Sequence, residues 1–285
     1  MRHRRLPVWW LAIPALLVAA AIAPPGGQLA AVTLTENFDK SFPLRGGGAL
    51  TLNNVNGAVI AEAWDRDEVR VQATKKVKAG SDEEARQLMS RVKIEIDQAG
   101  GNLRIDTKLP RHEDGFLGWL GRTGESAGVE YHLQVPRRVE AHLQSVNGRV
   151  SLAGTSGNAD LGTTNGGIQV EHVEGRLRLG TTNGTIKIVE AAGSVKAETT
   201  NGGIDARLTR VDGDLSLETT NGGVSVRLPR DVHATLDAST SNGSVHSDFA
   251  VAGGTSGRHH LSGTINGGGG KLSISTTNGG IHIGD

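Results

Sequence analysis

Leu161-Gly-Thr-Thr-Asn-Gly-Gly-Ile-Gln-Val170 returns eighteen residues later as Leu179-Gly-Thr-Thr-Asn-Gly-Thr-Ile-Lys-Ile188, and again as Ala197-Glu-Thr-Thr-Asn-Gly-Gly-Ile-Asp-Ala206. Asn147-Gly148 stands one such period earlier, and Asn221-Gly222, Asn242-Gly243 and Asn278-Gly279 continue the series at looser spacing. A fixed period of this size is the signature of a repeat architecture. Before each Asn, apolar residues and Ser or Thr alternate: Leu143 and Ser145, Leu161 and Thr163, Leu179 and Thr181, Leu217 and Thr219. After it the aliphatic positions alternate again: Val150 and Leu152, Ile168 and Val170, Ile186 and Ile188, Val224 and Val226. Between them lie Asp160, Gln169, Arg178, Lys187, Lys196 and Asp205. Period two puts one set inward and the other outward, so each copy holds two short strands.

Asn-Gly is expected to form one turn of each copy through positive φ, and Gly175, Gly193 and Gly213 the other. A continuous antiparallel meander uses the same turns. A solenoid better explains why identical corners recur, because equivalent residues then stack at about 4.8 Å. The expected fold is all-β: a β-solenoid of roughly 18-residue two-strand coils over 139–285.

The region 32–138 is read as an N-terminal β region continuous with it. Residues 24–48 form a linker and a leading strand, and Ala49 to Ile60 reads as an early copy of the repeat. Ser81-Asp-Glu-Glu84 is a capping box. Ala85, Leu88, Met89 and Val92 then mark one face of a helix over 82–92. Lys93–Asp97 and Leu103–Thr107 alternate around Ala99-Gly-Gly-Asn102, a hairpin signal. Residues 108–128 read as an irregular loop, and Val129, Tyr131, Leu133 and Val135 as a strand ending at Pro136.

Met1-Arg-His-Arg-Arg5 followed by the uncharged apolar run Leu6 to Ala23 has the form of an export signal, so 1–31 is a signal peptide or an N-terminal membrane anchor. The positive flank stays inside, which places the body of the chain outside the cytoplasm, in the periplasm or at the cell surface. Removing 1–31 takes away Arg2, Arg4 and Arg5 and leaves 27 basic residues against 30 acidic. That balance argues against a nucleic-acid partner. The 285 residues include 41 Gly, 3% aromatics and no Cys, which suits tight turns and a thin aliphatic core and excludes disulfides and thiolate metal sites.

LNNVNGAVIAEAWDRDEVRVQA (52–73), SDEEARQLMSRVKIEI (81–96), YHLQVPRRVEAHLQSVNGRVSLAG (131–154) and the serial TTNGGI copies resemble the bacterial family DUF4097. The likeness covers roughly 33–285. The resemblance implies an extracytoplasmic β-repeat protein of adhesin-like character, and it brings no catalytic motif. Ser247, Phe249 and the Gly-rich stretch 263–270 break the repeat pattern.

Candidate binding residues are few. The Asn of each copy serves the turn and bonds its stacked neighbours. The outer Thr of each pair (Thr164, Thr182, Thr200, Thr220 and Thr277) is expected to point outward as a hydroxyl ladder. Gly115-Phe-Leu-Gly-Trp-Leu120 sets Phe116 and Trp119 in a polar loop, where they either dock on a membrane or partner or cap the solenoid core. Asp205 and Asp212-Gly-Asp214 do not form a calcium repeat. The ten His lack metal spacing; His132, His142, His172, His246 and His282 read as outward strand positions and His259-His260 as loop. Gly267 to Lys271 fails as a phosphate loop, with Ile265 and Leu272 at key positions. Asp160, Glu198, Glu218 and Asp237 are the acids a polysaccharide-cleaving enzyme would use.

The expectation is therefore an exported, non-enzymatic, adhesin-like envelope module without cofactor or metal, meeting an envelope, glycan or protein partner. The alternatives are a structural, assembly or envelope-stress-associated protein tethered in the membrane through residues 6–23 and self-associating through terminal coils, and a β-helix enzyme acting on polysaccharide.

Overall fold

Coil-to-coil register decides between meander and solenoid. Among the residues that the computed structural model describes, 31–110 and 125–285, Leu161 lies beside Leu143 and Leu179, and Asn165 beside Asn147 and Asn183, all in parallel pairing. Equivalent positions of successive copies stack on each other, which makes the body a β-solenoid.

The first strands are β1 (Val32–Pro43), β2 (Ala49–Asn53), β3 (Val59–Trp64) and β4 (Glu68–Ala79). Then come α1 (Asp82–Arg91), β5 (Lys93–Ala99), β6 (Asn102–Lys108) and β7 (Ser126–Pro136). The repeat supplies β8 (Glu140–Asn147), β9 (Val150–Ala153), β10 (Ala159–Asn165), β11 (Ile168–Glu171), β12 (Glu174–Asn183), β13 (Ile186–Asn201) and β14 (Ile204–Asn221). It closes with β15 (Val224–Arg227), β16 (Ala234–Asn242), β17 (Val245–Ser247), β18 (His260–Ile265), β19 (Gly270–Asn278) and β20 (Ile281–Gly284).

Two faces result. One runs β5, β6, β2, β8, β10, β12, β13, β14, β19, β16, β18. The other runs β1, β4, β7, β3, β9, β11, β13, β14, β15, β20, β17. β13 and β14 pass through a corner unbroken and serve both faces. The aliphatic positions named from the alternation are buried between the faces and form one continuous core.

Chain order and stack order part at both ends. β2 and β3 sit between the coil of β6 and β7 and the coil of β8 and β9. Asn54 helps hold that placement, its Nδ2 donating to Val129 O at 2.8 Å. At the other end β19 and β20 slide between β14–β15 and β16–β17. This explains the break in pattern after Ser247: the chain leaves the stack, lays β18 antiparallel over β16, and returns one level lower. It also changes which strands stand at the end of the stack. β20 is paired on both sides, so the strand before Asp285 is no free edge.

The helix packs against β1 and β4 with Ala85 and Met89 buried. Ser81 Oγ accepts from the Glu84 N–H at 3.3 Å, and Val92 caps the helix end, one residue short of expectation. The β5–β6 hairpin turns on Gly100 and Gly101, with φ 61° and 83°. The expected loop 108–128 is shorter than read, because 126–128 already pair with β4. Residues 111–124, and with them Phe116 and Trp119, lie outside the described residues, as do 1–30 with the apolar run 6–23. No helix among the described residues is long and apolar enough to cross a membrane.

The Asn-Gly corner is not the turn expected. No repeat Asn has positive φ, and of the corner glycines only Gly57 and Gly202 do, at 122° and 156°. The corner backbone bonds to the next coil instead of to itself: the Gly166 N–H donates to Asn183 O at 2.9 Å, and the Gly184 N–H to Asn201 O at 2.9 Å. Glycine is required there by proximity. A Cβ on Gly166 would lie 2.1 Å from Gly148 O, one on Gly184 1.9 Å from Gly166 O, and one on Gly222 2.1 Å from Gly202 O. Left-handed backbone does occur at the second corner, at Gly175, Gly193 and Gly213. It occurs also at His172 and Glu190, which face each other at 2.9 Å. His172 is thus a corner residue, not an outward strand position, and His260 opens β18 instead of lying in a loop.

Two outcomes follow from this packing. Gly184→Ala is expected to lower unfolding free energy by about 2–4 kcal/mol, because backbone must move to admit the methyl. Gly180→Ala, whose Cβ would meet nothing within 4 Å, is expected to stay within about 0.5 kcal/mol. Denaturant titration of the two variants distinguishes them.

Tyr131 is fully buried, its hydroxyl 2.7 Å from Thr107 Oγ1, and burial pushes its phenol from an ordinary 10.0 up to about 12. A raised folded-state value means the stabilisation is complete below pH 10 and is lost as pH climbs toward 12. Roughly 2–3 kcal/mol of stability should disappear over that window. Tyr131→Phe should flatten this part of the stability–pH curve, measured by denaturation at alkaline pH.

Candidate binding surface

The two Thr of each Thr-Thr-Asn-Gly copy have different fates. The inner ones are buried, and each donates to a corner glycine carbonyl of the adjacent coil. Thr163 reaches Gly148 O at 3.0 Å, Thr181 reaches Gly166 O at 2.9 Å, and Thr199 reaches Gly184 O at 3.0 Å. Thr219, Thr240 and Thr276 do the same with Gly202, Gly279 and Gly222, each at 2.8 Å. The outer ones, Thr164, Thr182, Thr200, Thr220 and Thr277, are exposed. Their hydroxyls have no hydrogen-bond partner among the described residues.

The Asn amides form a single polarised chain beside them. Asn147 donates to Asn56 at 2.7 Å; Asn165, Asn183 and Asn201 each donate to the Asn one coil back at 2.8 Å. Asn221, Asn278 and Asn242 extend it at 2.8–2.9 Å in stack order, not in chain order. In-register amides in a row polarise one another. The Asn column is therefore occupied with the fold, while the outer Thr column is not.

Next to Thr164 the face carries a shallow groove lined by Gln144, Asp160, Gly162, Arg178, Gly180, Lys196 and Glu198. Two glycines in successive coils make it: Gly162 and Gly180 are register partners. The Gln144 side chain lies over Gly162, where a Cβ would come within 2.0 Å of its Oε1, but Gly180 is open. Both signs of charge line the walls, with Lys196 Nζ and Glu198 Oε1 paired at 2.6 Å.

The acids do not converge on a common point in this groove. Glu198 stacks in register on Glu218 and is paired with Lys196. Asp237 lies at the far end of the stack, 3.9 Å from His260. On the opposite face the stack brings together His246, Asp248 and His282, which are distant in sequence. The signal was present but indirect: both His stand four residues after a repeat Asn, at Asn242 and Asn278. Only the out-of-order insertion of β20 beside β17 makes them neighbours.

A family model described as Toastrack DUF4097 matches residues 50–284. Among solved structures, a "putative cell adhesion protein" from Clostridium sporogenes is similar at 13% identity and a TM-score of 0.34, over 87% of this chain and 99% of that one. A "putative adhesin" from Bacteroides fragilis is similar at 11% identity and a TM-score of 0.41, over 87% of this chain and 97% of that one. No curated protein matches the chain significantly.

The two Thr columns make opposite predictions. Thr199→Val should cost about 1–2 kcal/mol, because the part-buried Gly184 carbonyl loses its donor. Thr200→Val should stay within about 0.5 kcal/mol. Equal losses in paired denaturation curves would refute the division of labour between them.

Proposed function

We propose, from the premise that this chain belongs to the DUF4097 Toastrack family, that it is an exported, non-enzymatic binding module of the cell envelope. Its ligand is an extended polar polymer, an envelope glycan, laid across successive coils. The observation that carries this reading is the contrast between the two hydroxyl columns. The inner Thr hydroxyls are engaged by the fold, while the outer ones face solvent unengaged, at the spacing of neighbouring strands, about 4.8 Å.

A repeating ligand meets such a surface with the same contact at every coil. Each contact is weak alone, and several on one rigid sheet add without new ordering of the protein. The groove at Gly162 and Gly180 supplies a depression beside Thr164 and Thr182. Its stacked Asp160, Arg178 and Lys196 offer both acceptors and donors to sugar hydroxyls. The basic segment Met1–Arg5 and the apolar run Leu6 to Ala23 support export, with residues 6–23 either cleaved or kept as a tether.

The test is binding of the full chain to purified envelope polysaccharide, by biolayer interferometry. Gly180→Trp sets a large ring into the groove at a position where a Cβ meets nothing within 4 Å, and Thr164→Ala with Thr182→Ala removes the adjoining hydroxyls. Each is expected to weaken binding by at least about tenfold while thermal unfolding stays unchanged. No binding by the parent chain, or binding indifferent to both variants, sinks the proposal.

A further inference from the structure

His246 in β17 and His282 in β20 are direct register partners on neighbouring parallel strands. Their rings stack with centroids 5.4 Å apart and planes 5° from parallel. Asp248 follows β17, and its N–H donates to Ile283 O at 2.9 Å, which keeps the carboxylate beside the Nε2 atoms of both rings. Asp248 Oδ1 lies 3.2 Å from His246 Nε2, and its Oδ2 lies 3.5 Å from His282 Nε2. One ligand atom from each residue falls within 4.8 Å of the other two. Two imidazoles and one carboxylate on an exposed face form an N,N,O donor set with free positions left for water.

We propose that His246, Asp248 and His282 bind a zinc-type divalent ion, which clips the inserted coil β19–β20 to the end coil β16–β17. Three features of the structure point to a metal, and not only to paired surface charges.

The first is spacing. Zn–N and Zn–O bonds of about 2.0–2.2 Å at tetrahedral angles place ligand atoms roughly 3.4 Å apart. Each imidazole already stands at about that distance from an Asp248 oxygen, His246 from Oδ1 and His282 from Oδ2. One atom from each of the three residues lies within 4.8 Å of the other two, so a small movement of the side chains brings three donors onto one ion.

The second is clearance. At Gly284, beside His282, a Cβ would lie 3.0 Å from Asp248 Oδ2 and 3.3 Å from His282 Nε2. One coil down, the register partner of Gly284 is Arg227. A long cation in that column would block or repel an ion at this level, and glycine stands there instead.

The third is charge. Arg227 is turned away to Asp205, Nη1 to Oδ1 at 3.8 Å. Ser225, the register partner of His282, and Ser244, two residues before His246, are neutral. Imidazole and carboxylate ligands suit zinc and its late first-row neighbours better than calcium or magnesium, which take oxygen ligands. The side chains of His246, Asp248 and His282 keep 71%, 43% and 48% of their exposure, so an ion enters without any opening of the fold.

The clip would act where the solenoid is least local. The end coil and the coil inserted beneath it meet only after the chain has gone out through β18 and come back. A ligand that binds the folded arrangement and not the open chain stabilises it by mass action.

The experiment is titration of the full chain, purified without a histidine tag, with Co2+ followed by Zn2+. One Co2+ per chain, visible d–d bands of a low-coordinate site, their loss on Zn2+ addition, and a Zn2+-dependent rise in Tm are expected. His246→Gln and His282→Gln should each weaken binding by more than the roughly 10–100-fold that losing an outer-shell partner costs. Asp248→Asn should remove the Tm response. Gly284→Val keeps all three ligands and should weaken binding by crowding. His132→Gln, on a strand remote from the site, should change nothing. Absence of stoichiometric Co2+ binding at millimolar metal, or binding unaltered in the folded His246→Gln/His282→Gln chain, would overturn the proposal.

Discussion

The stack depends on how closely one Asn-Gly corner rides on the next. Gly166 O receives the Thr181 hydroxyl at 2.9 Å and lies 1.9 Å from where a Cβ of Gly184 would be. The side-chain amides of the same corners are bonded at 2.8 Å. Thr, Asn and Gly are therefore one device rather than three. Glycine permits the approach, threonine satisfies the carbonyl that the approach buries, and asparagine fixes the register laterally. A residue slip would lose all three at once and turn the aliphatic set outward, since the strand period is two. Register in a parallel stack with no tight turns is usually weakly specified; here each corner specifies it again.

A solenoid of this kind must also manage its ends, because each outer strand presents unpaired backbone groups. The chain does so by leaving sequence order. At one end β4 and β1 cover β7 antiparallel, and β5 covers β6. At the other, β18 covers β16, and the last coil is tucked inside. The remaining parallel edge is β17, only 3 residues long. The outcome resembles the short, blunted edges by which β proteins resist edge-to-edge association. It requires contacts of large sequence separation, such as Asn278 to Asn221, 57 residues apart, beside the 18-residue steps of the middle coils. The middle of the stack is thus nearly local, and its closure is not.

This division explains what was legible in the sequence. Within Asn165 to Asn201 the alternation of Leu161, Thr163, Ile168 and Val170 predicts the strands, the inward set and the stacking, because each of these coils touches only its neighbours in sequence. The helix was readable from Ser81 and Glu84 for the same reason. The corner chemistry was misread: Asn-Gly has a strong local preference for left-handed turns, and here hydrogen bonds to the next coil outweigh it. The insertions of β2–β3 and β19–β20 had only a negative trace, the break at Ser247 and Phe249. His246 and His282 share a repeat position, but adjacency required knowing that two non-consecutive coils are stacked. The outer Thr residues are exposed, as the alternation predicts, because period two determines sidedness regardless of coil order.

In a stack built from one motif, position in the column separates what the fold uses from what is left over. Inner Thr, Asn and corner Gly recur because each meets the corner of a neighbouring coil: Thr donates to a glycine carbonyl, Asn to another Asn, and Gly to an Asn carbonyl. Residues that break their column meet no such demand. Gly162 and Gly180 interrupt an outward row that otherwise holds Gln144, Glu198 and Glu218, and nothing in the packing needs Gly180 to lack a side chain. His246 and His282 replace the Lys187, Asp205 and Ser225 of their row, and Gly284 replaces the Arg227 of the next. Both departures lie on opposite outer faces, away from the corners that hold the coils together. The architecture thus leaves two places where side chains answer to something other than the neighbouring coil: a dent beside the free hydroxyl ladder, and a His–Asp–His cluster at the seam where the solenoid closes.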